Sequence, residues 1–200
     1  MCGFVGVKAG VSGFDIMQIR SRCAKALRDI SYRGPDSEHF YYDESLFFGG
    51  HRRLSISDSK NLAADQPMLS HNREVVILFN GQIYNAEELC SLFGVRIQFK
   101  TNSDTERLVE LYSRVGPELF PYLRGIFAAV FYHPLTKKLV MVRDQLGIKP
   151  LYYSVNEYRE ISFASTPKSL FKVMGIDDHR LSLNKRTEVA FKLFGSCPLE

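Results

Sequence analysis

The chain has 200 residues, of which 45% are hydrophobic and 24% charged, and its formal net charge is +4. These values are typical of a globular protein with a buried core, and the length suits one domain or a domain with a tail. Basic residues are scattered and form no block, so the sequence shows no electrostatic footprint for nucleic acid. No apolar run approaches the roughly 18 residues of a membrane span, and the first residues do not resemble a signal peptide. We expect a soluble, cytoplasmic protein that binds neither nucleic acid nor membrane.

The first half of the chain is predicted to hold one helix among several strands. Residues 2–7 form a short apolar run whose two glycines are typical of a buried strand that another backbone or a ligand approaches closely. Apolar residues then recur at helical spacing over residues 16–30, before a turn at residues 33–36. Further strands are predicted at residues 39–42, 46–53 and 75–79, with the polar segment 57–65 between them and Asn80-Gly81 as a turn after the last.

The second half is predicted to add a helix, a hairpin and a final strand-helix unit. The helix runs from Ser103 or Asp104 to Val115, because acidic residues near its start suit the helix dipole and Gly116-Pro117 stops it. Strands are predicted at residues 126–132, 138–143, 151–154 and 161–164, and a last helix at residues 167–174. Many strands, few helices and no regular alternation of the two favour an α+β layered domain over a doubly wound one.

The four cysteines, Cys2, Cys23, Cys90 and Cys197, are widely separated and form no C-x-x-C pair, which argues against a zinc or dithiol site. Cys23 and Cys90 are expected to be small buried or half-buried residues. Cys2 differs because removal of the initiator methionine would leave it with a free α-amino group. An α-amine titrates near neutrality, so it can accept the thiol proton directly or through water. Position alone is a weak signal, since many chains carry Cys at position two by chance.

A series of polar motifs supplies residue types that suit an amide substrate. They are R-G-P-D at residues 33–36, H-R-R-L-S-I at 51–56, Q-P-M at 66–68, N-G-Q-I-Y-N at 80–85, T-N-S-D-T-E at 101–106, R-G-I-F-A at 124–128, R-D-Q-L-G-I-K-P-L-Y-Y at 143–153 and F-A-S at 163–165. With these motifs in this order, the chain resembles the glutaminase domain of asparagine synthetases and related class II glutamine amidotransferases. That family has the N-terminal nucleophile hydrolase fold, and the resemblance runs from Cys2 to the end of the chain.

The resemblance implies a four-layer αββα sandwich, in which two stacked antiparallel sheets lie between helix layers. It implies that residues 1–182 form the amidotransferase domain and that residues 183–200 begin a linker to an absent ATP-dependent synthetase domain, whose Ser-Gly-Gly-x-Asp-Ser loop does not occur here. ATP and Mg²⁺ are expected only in that domain, and no cofactor or metal is expected in this chain. The implied partners are glutamine and the synthetase domain or subunit that receives ammonia; a homodimer is left open.

The implied activity is hydrolysis of glutamine to glutamate and ammonia, with Cys2 as the nucleophile. Attack on the side-chain amide creates an oxyanion, which needs hydrogen-bond donors already in position. The resemblance implies that the side-chain amide of Asn80 and the backbone N–H of Gly81 form this oxyanion hole. The alternative for Asn80-Gly81 is a plain hairpin turn, for which Asn-Gly is the strongest short signal. In asparagine synthetases the ammonia passes to aspartate that has been activated with ATP.

Glutamine also presents an α-carboxylate, which calls for a bidentate cation, and an α-ammonium, which calls for a fixed carboxylate. Arg53 matches the family's carboxylate-binding arginine. Asp104 is assigned to the ammonium, with a helix cap or first-turn dipole partner as its alternative role. The predicted substrate-binding set is Arg53, Leu54, Ile56, Asn80, Gln82 and Asp104.

Two positions depart from the family's pattern. Gln82 stands where asparagine synthetases usually carry Glu, which removes a negative charge near the substrate's ammonium; we expect weaker glutamine recognition with activity retained. Thr166 stands where Glu ordinarily follows Phe-Ala-Ser.

The competing hypothesis for the function of the chain is a catalytically weak or inactive binding or scaffold module of the same fold.

Three other features have open roles. Residues 33–36 are expected to close over the nucleophile's amine, although Gly-Pro is also a plain turn signal. Arg143 and Asp144 have a structural alternative as a buried pair that supports the sheet. The five histidines are left out of the chemistry, because the free amine already supplies a base.

Overall fold

The helices and strands below come from a computed structural model, which describes residues 1–11, 15–44, 46–55, 58 and 61–176 and the tail positions 185, 188, 189 and 192. Ile56 and most of the predicted linker 183–200 lie outside the described residues. The strands are β1 (Gly3–Lys8), β2 (Ser37–Asp43), β3 (Phe47–Arg53), β4 (Met68–Leu69), β5 (Val76–Ile83), β6 (Gly125–His133), β7 (Lys138–Arg143), β8 (Tyr152–Val155) and β9 (Ile161–Ala164). The α-helices are α1 (Ile16–Asp29), α2 (Ala86–Leu92), α3 (Asp104–Val115) and α4 (Pro167–Met174), and short 3-10 segments span Leu62–Ala64 and Gly116–Tyr122.

The strands form two sheets in which neighbouring strands run antiparallel. One sheet has five strands in the order β2-β3-β1-β9-β8, and the other has four in the order β4-β5-β6-β7. The central position of β1, with both faces covered, explains why its sequence is apolar without strict alternation. Phe4 faces the second sheet, whereas Val5 and Val7 face a helix layer, and all three side chains are fully buried.

Helices α1 and α4 cover the outer face of the five-stranded sheet. Asp15 caps α1 by accepting hydrogen bonds from the backbone N–H groups of Met17 and Gln18. Thr166, one of the two departures from the family pattern, caps α4 by accepting from the N–H of Ser169 at 3.2 Å. The apolar sides of these helices pack on β1 through Ile19, Cys23, Leu27, Leu170 and Val173.

Helix α3 covers the outer face of the four-stranded sheet, together with α2. The hydroxyl of Ser103 caps α3 by accepting from the N–H of Glu106. A continuous core joins this helix layer to β5 and β6 through Leu108, Val109, Tyr112, Ile77, Phe79 and Phe131.

A third core lies between the two sheets. Phe47 of β3 stacks on Tyr132 of β6 with ring centroids 4.0 Å apart. The ring of Phe163 on β9 also stacks on the ring of Phe47, at a centroid distance of 6.2 Å. Phe4 and Leu78 fill the adjacent space. Three cores therefore separate four layers, and the predicted αββα sandwich is confirmed. Among the described helices none has both the length and the apolarity to cross a bilayer.

The prediction of a turn at Asn80-Gly81 is wrong. Strand β5 continues to Ile83, with Asn80 opposite Ala128 and Gly81 opposite Phe127 on β6. Gly81 has a φ of 158°, and a Cβ atom there would lie 2.2 Å from the carbonyl oxygen of Ile126. Glycine is required because two backbones approach closely within the sheet. Strand β4, helix α2 and the 3-10 segments are further elements that the sequence patterns did not predict.

We predict that Phe47→Ala lowers the free energy of unfolding by about 3–5 kcal/mol, because it leaves a cavity between the two sheets. Urea denaturation monitored by circular dichroism measures the change. Leu135→Ala is the control: this side chain is 79% exposed in the turn between β6 and β7, and its loss should change stability by about 0.5 kcal/mol or less. Equal losses for the two variants would contradict a core between the sheets.

Candidate active site

A cavity of about 150 Å³ lies where the start of β1, the end of β3, strand β5 and the start of α3 meet. Every predicted site residue that the structure describes lines it: Cys2, Arg53, Leu54, Asn80, Gly81, Gln82 and Asp104. These residues come from segments that are far apart in the sequence, so the fold brings the motifs together. Ile56 lies outside the described residues.

Cys2 immediately precedes β1, and its thiol is held at the end of β3. The N–H of Leu54 points to Cys2 Sγ at 3.4 Å, and Arg33 Nε donates to the carbonyl oxygen of Cys2 at 3.1 Å. The pairing of Gly3 with Arg52 sets this arrangement, because it brings the residue before β1 beside the residues that follow Arg52. The sulfur is half-buried at the cavity wall.

Burial raises the pKa of the Cys2 thiol above its ordinary value. The hydrogen bond from Leu54 and the positive charges of the chain N-terminus and Arg53 act in the opposite direction, and the negative charge of Asp104 adds to the increase. The thiol is therefore protonated at neutral pH in this state. Nucleophilic attack by its sulfur requires a group that removes the proton.

Met1 also lines the cavity, with 55% of its surface exposed. Its sulfur lies 3.9 Å from Arg33 Nη2. While Met1 is attached, the nitrogen of Cys2 belongs to a peptide bond and is not basic. The α-amine that was predicted to act as the base exists only after Met1 has been removed.

Residues 33–36 form a support beneath Cys2 and the end of β3. Gly34 lies so close to β3 that a Cβ atom would be 2.4 Å from the carbonyl carbon of Arg52. The N–H of Asp36 donates to the carbonyl oxygen of Arg53 at 3.1 Å, and its carboxylate accepts from the N–H of Ser55 at 2.6 Å. With the contact between Arg33 and Cys2, these bonds fix the nucleophile relative to Arg53.

Asn80 presents a buried amide donor to the cavity. The residue is 1% exposed, and its Nδ2 has no hydrogen-bond partner among the described residues. An unpaired buried donor costs about 1–3 kcal/mol, so its presence at a cavity wall points to a ligand that accepts the hydrogen bond. The backbone of Gly81 lies beside it on β5. The predicted oxyanion hole thus has the required donor type, although it is built on a strand and not on a turn.

Asp104 is the first residue of α3, and Ser103, not Asp104, caps that helix. Asp104 Oδ2 accepts from the N–H of Ile83 at 2.7 Å, which connects α3 to the end of β5. Burial raises the pKa of Asp104 above its ordinary value, although hydrogen bonds from Ile83 and Thr105 act to lower it. A cation beside this carboxylate would favour its charged form.

Arg53 is 7% exposed and contacts anionic and carbonyl groups behind the cavity. Its Nη1 donates to Asp65 Oδ1 at 2.9 Å, and its Nη2 donates to the carbonyl oxygen of Asp58 at 3.2 Å. Leu54, half-buried, and Gln82, exposed, also line the cavity.

Gln66 and Lys149 line the cavity but were given no role from the sequence. Gln66 Oε1 accepts from the N–H of Phe79 at 2.6 Å, and its Nε2 donates to Thr105 Oγ1 at 3.5 Å. It therefore connects the segment before β4 to β5 and α3, next to Asn80. Both residues occur inside motifs that carry the family resemblance. Their place in these motifs is the sequence signal that could have identified them as cavity residues.

The interpretation of Arg143 and Asp144 as a buried pair is wrong, because Arg143 is exposed. The two side chains instead hold the loop that ends at Lys149. Asp144 accepts from the N–H groups of Phe127 and Ile148, each at 3.0 Å, and Arg143 Nε donates to the carbonyl oxygen of Lys149 at 2.8 Å. Burial acts to raise the pKa of Asp144, but these N–H groups hold it below its ordinary value.

His51 is buried between the sheets and does not line the cavity. Its Nε2 donates to the carbonyl oxygen of Phe79 at 3.0 Å, and burial lowers the pKa of its imidazole to about 4. The ring is neutral at physiological pH and supports the strand that carries Asn80. Within the described part of the chain, no group of three or more His, Cys, Asp and Glu side chains is arranged to hold a metal ion.

Comparisons with known proteins find relatives of this chain. The chain is 37% identical over 172 residues to asparagine synthetase [glutamine-hydrolyzing] 2 of Bacillus subtilis, an alignment that covers 86% of this chain and 22% of the relative. It is 35% identical over 177 residues to asparagine synthetase B [glutamine-hydrolyzing] of Escherichia coli, covering 86% of this chain and 30% of that protein. The chain thus spans less than a third of the length of these curated relatives.

A solved structure shares the fold at lower sequence identity. Glutamine phosphoribosylpyrophosphate amidotransferase from B. subtilis, complexed with ADP and GMP, superposes with a TM-score of 0.67 at 20% identity. The match covers 87% of this chain and 44% of that one. The family model described as the glutamine amidotransferase domain matches residues 1–191. The predicted family is therefore confirmed: this chain belongs to the glutamine amidotransferase domain family and is similar to the glutaminase part of asparagine synthetases.

Proposed function

We propose that this chain hydrolyses glutamine to glutamate and ammonia, with Cys2 as an N-terminal nucleophile. The observation that carries the proposal is that a thiol and the buried amide donor of Asn80 line one cavity, and that this donor has no hydrogen-bond partner in the described part of the chain. Arg53 and Asp104 line the same cavity and supply the two charges that complement a free amino acid. A scaffold module has no physical need for a buried donor that no described residue satisfies, so Asn80 favours the enzyme over the scaffold hypothesis.

The first half of the reaction forms a thioester. After removal of Met1, the α-amine of Cys2 takes the thiol proton, and the thiolate attacks the side-chain amide carbon of glutamine. Asn80 Nδ2 and the N–H of Gly81 donate to the oxyanion of the tetrahedral intermediate. When the carbon–nitrogen bond breaks, the α-ammonium of Cys2 returns the proton to the leaving nitrogen, and ammonia departs. A γ-glutamyl thioester remains on Cys2.

The second half releases glutamate. The α-amine of Cys2, neutral again, takes a proton from water as the water oxygen attacks the thioester carbonyl. The same donors on β5 stabilise the second oxyanion. The carbon–sulfur bond then breaks, the proton returns to the sulfur, and glutamate leaves.

Charge complementarity supports the assignment of the substrate's polar groups. In our proposal Arg53 binds the α-carboxylate and Asp104 the α-ammonium, with Leu54, Ile56, Asn80 and Gln82 completing the pocket. Because burial raises the pKa of Asp104, a bound ammonium offsets the cost of its negative charge. Gln82 leaves one fewer negative charge at this pocket than Glu would, which weakens recognition without touching the reacting atoms.

The similarity to asparagine synthetases supports a destination for the ammonia. We propose that it passes to a synthetase domain or subunit, where ATP and Mg²⁺ activate an acceptor such as aspartate. The hydrolysis itself, as proposed, uses only groups of this chain and water.

Glutamate release from glutamine tests the proposed activity. We predict that Cys2→Ala lowers the rate by about a thousandfold or more, because no other group replaces the nucleophile. Cys90→Ala is the matched control: Cys90 is 8% exposed and does not line the cavity, so its removal should leave kcat within about twofold. Equal rates for wild type and Cys2→Ala would remove Cys2 from the mechanism.

Asn80→Ala tests the oxyanion hole. We predict a decrease in kcat of about 10²–10³-fold with little change in KM, because the lost hydrogen bond forms mainly in the transition state. Stability should change little, since Asn80 Nδ2 has no hydrogen-bond partner to lose among the residues that the structure describes. Asn85→Ala should lower stability and leave kcat nearly unchanged. Asn85 bonds the backbone of Tyr122 and Arg124, each at 3.0 Å, and does not line the cavity. Steady-state kinetics and urea denaturation of both variants make the comparison; an unchanged kcat in Asn80→Ala would contradict the assignment.

A further inference from the structure

Arg53 forms an ion pair with a carboxylate that has no predicted role. Asp65 Oδ1 lies 2.9 Å from Arg53 Nη1, and the two side chains are 10% and 8% exposed. Asp65 does not line the cavity, whereas Arg53 does. The carboxylate therefore contacts Arg53 from behind the cavity wall. The carbonyl oxygens of Asp58 and Asn61 accept further hydrogen bonds from the same guanidinium.

Asp65 is itself held by two residues of β2. Ser37 Oγ donates to Asp65 Oδ1 at 2.9 Å, and His39 Nε2 lies 3.0 Å from Asp65 Oδ2. Burial acts to raise the pKa of Asp65, but the hydrogen bonds from Arg53 and Ser37, together with nearby positive charge, hold it below its ordinary value. The carboxylate is therefore charged at neutral pH. A charged carboxylate, held by two residues of β2, thus faces Arg53.

We infer that Asp65 is a positioning residue, which holds the guanidinium of Arg53 ready for the α-carboxylate of glutamine. The inference rests on the proposed function. A free arginine side chain loses rotamer entropy when it binds a carboxylate, and a side chain that is already fixed loses less. Asp65 also balances the buried positive charge while the cavity is empty.

The opposite effect is competition, since Asp65 partly neutralises Arg53 and occupies one of its donors. We expect preorganisation to outweigh competition, because Asp65 bonds only Nη1 of Arg53 and, unlike Arg53, does not line the cavity. Without Asp65, Arg53 would lose a charged contact that holds its guanidinium. The guanidinium would then be held less tightly at the substrate position.

Asp65→Asn in the full chain tests the inference, because it keeps the side-chain shape and removes the charge. Glutamine affinity is measured by calorimetry in a Cys2→Ala background, where turnover does not interfere, and KM and kcat are measured with Cys2 present. We expect Asp65→Asn to raise Kd and KM about tenfold and to leave kcat within about twofold. Asp65→Glu, which restores the charge, should recover part of the affinity.

Glu38→Gln is the matched control. Glu38 forms an ion pair with Arg52, the neighbour of Arg53, and neither residue of this pair lines the cavity. Its affinity for glutamine should equal that of the parent. If Asp65→Asn does not fold, Ser37→Ala provides the second variant: it removes one hydrogen bond from Asp65 but keeps the charge, and it should raise Kd by a smaller factor.

The outcomes separate this inference from the function on which it rests. If the wild type releases glutamate and the Cys2→Ala parent binds glutamine, unchanged or tighter glutamine binding after Asp65→Asn would overturn the positioning role alone. An equal loss of affinity in Glu38→Gln would also overturn it, since the effect would then be general to ion pairs at this sheet edge. Absence of glutamine binding by the Cys2→Ala parent and of glutamate release by the wild type would overturn both.

Discussion

The antiparallel pairing of β1 with β3 is the constraint on which the rest of the site depends. Because Gly3 lies opposite Arg52, Cys2 comes beside Arg53 and Leu54, and the N–H of Leu54 reaches the thiol. A displacement of one residue in this register would turn the side chains of β1 to the opposite face of the sheet. The same pairing buries Phe4 against the second sheet, so the position of the nucleophile is coupled to the core of the sandwich.

The second sheet contributes the proposed donors for the oxyanion, Asn80 and Gly81. Strand β5 carries its apolar side chains toward both neighbouring layers and then presents Asn80 and Gly81 at the cavity. Two supports keep this part of β5 in place: Asp104 bonds the N–H of Ile83, and Gln66 bonds the N–H of Phe79. Nucleophile and donors therefore lie on different sheets, and the core between the sheets sets their separation.

Much of this architecture follows from the sequence, because β1, α1, α3 and α4 have strong apolar patterns and the motifs identify the family. Two features required the tertiary structure. Asn80-Gly81 is a turn signal locally, but close contact between Gly81 and the backbone of β6 keeps the chain extended. The pair of Arg53 with Asp65 was also hidden, since Asp65 lies in a polar segment without periodicity and contacts strands distant in sequence. Local patterns predict elements, whereas such contacts arise only when the layers assemble.

In the proposed mechanism, a processed N-terminal cysteine carries the reaction through a covalent intermediate. Peptide-resolved mass spectrometry of the protein, quenched with acid while it turns over glutamine, detects such an intermediate. We predict a γ-glutamyl adduct on Cys2, confined to N-terminal peptides that lack Met1. Glutamate formation by protein whose N-terminal peptides all retain Met1, or an adduct on another residue in place of Cys2, would contradict it.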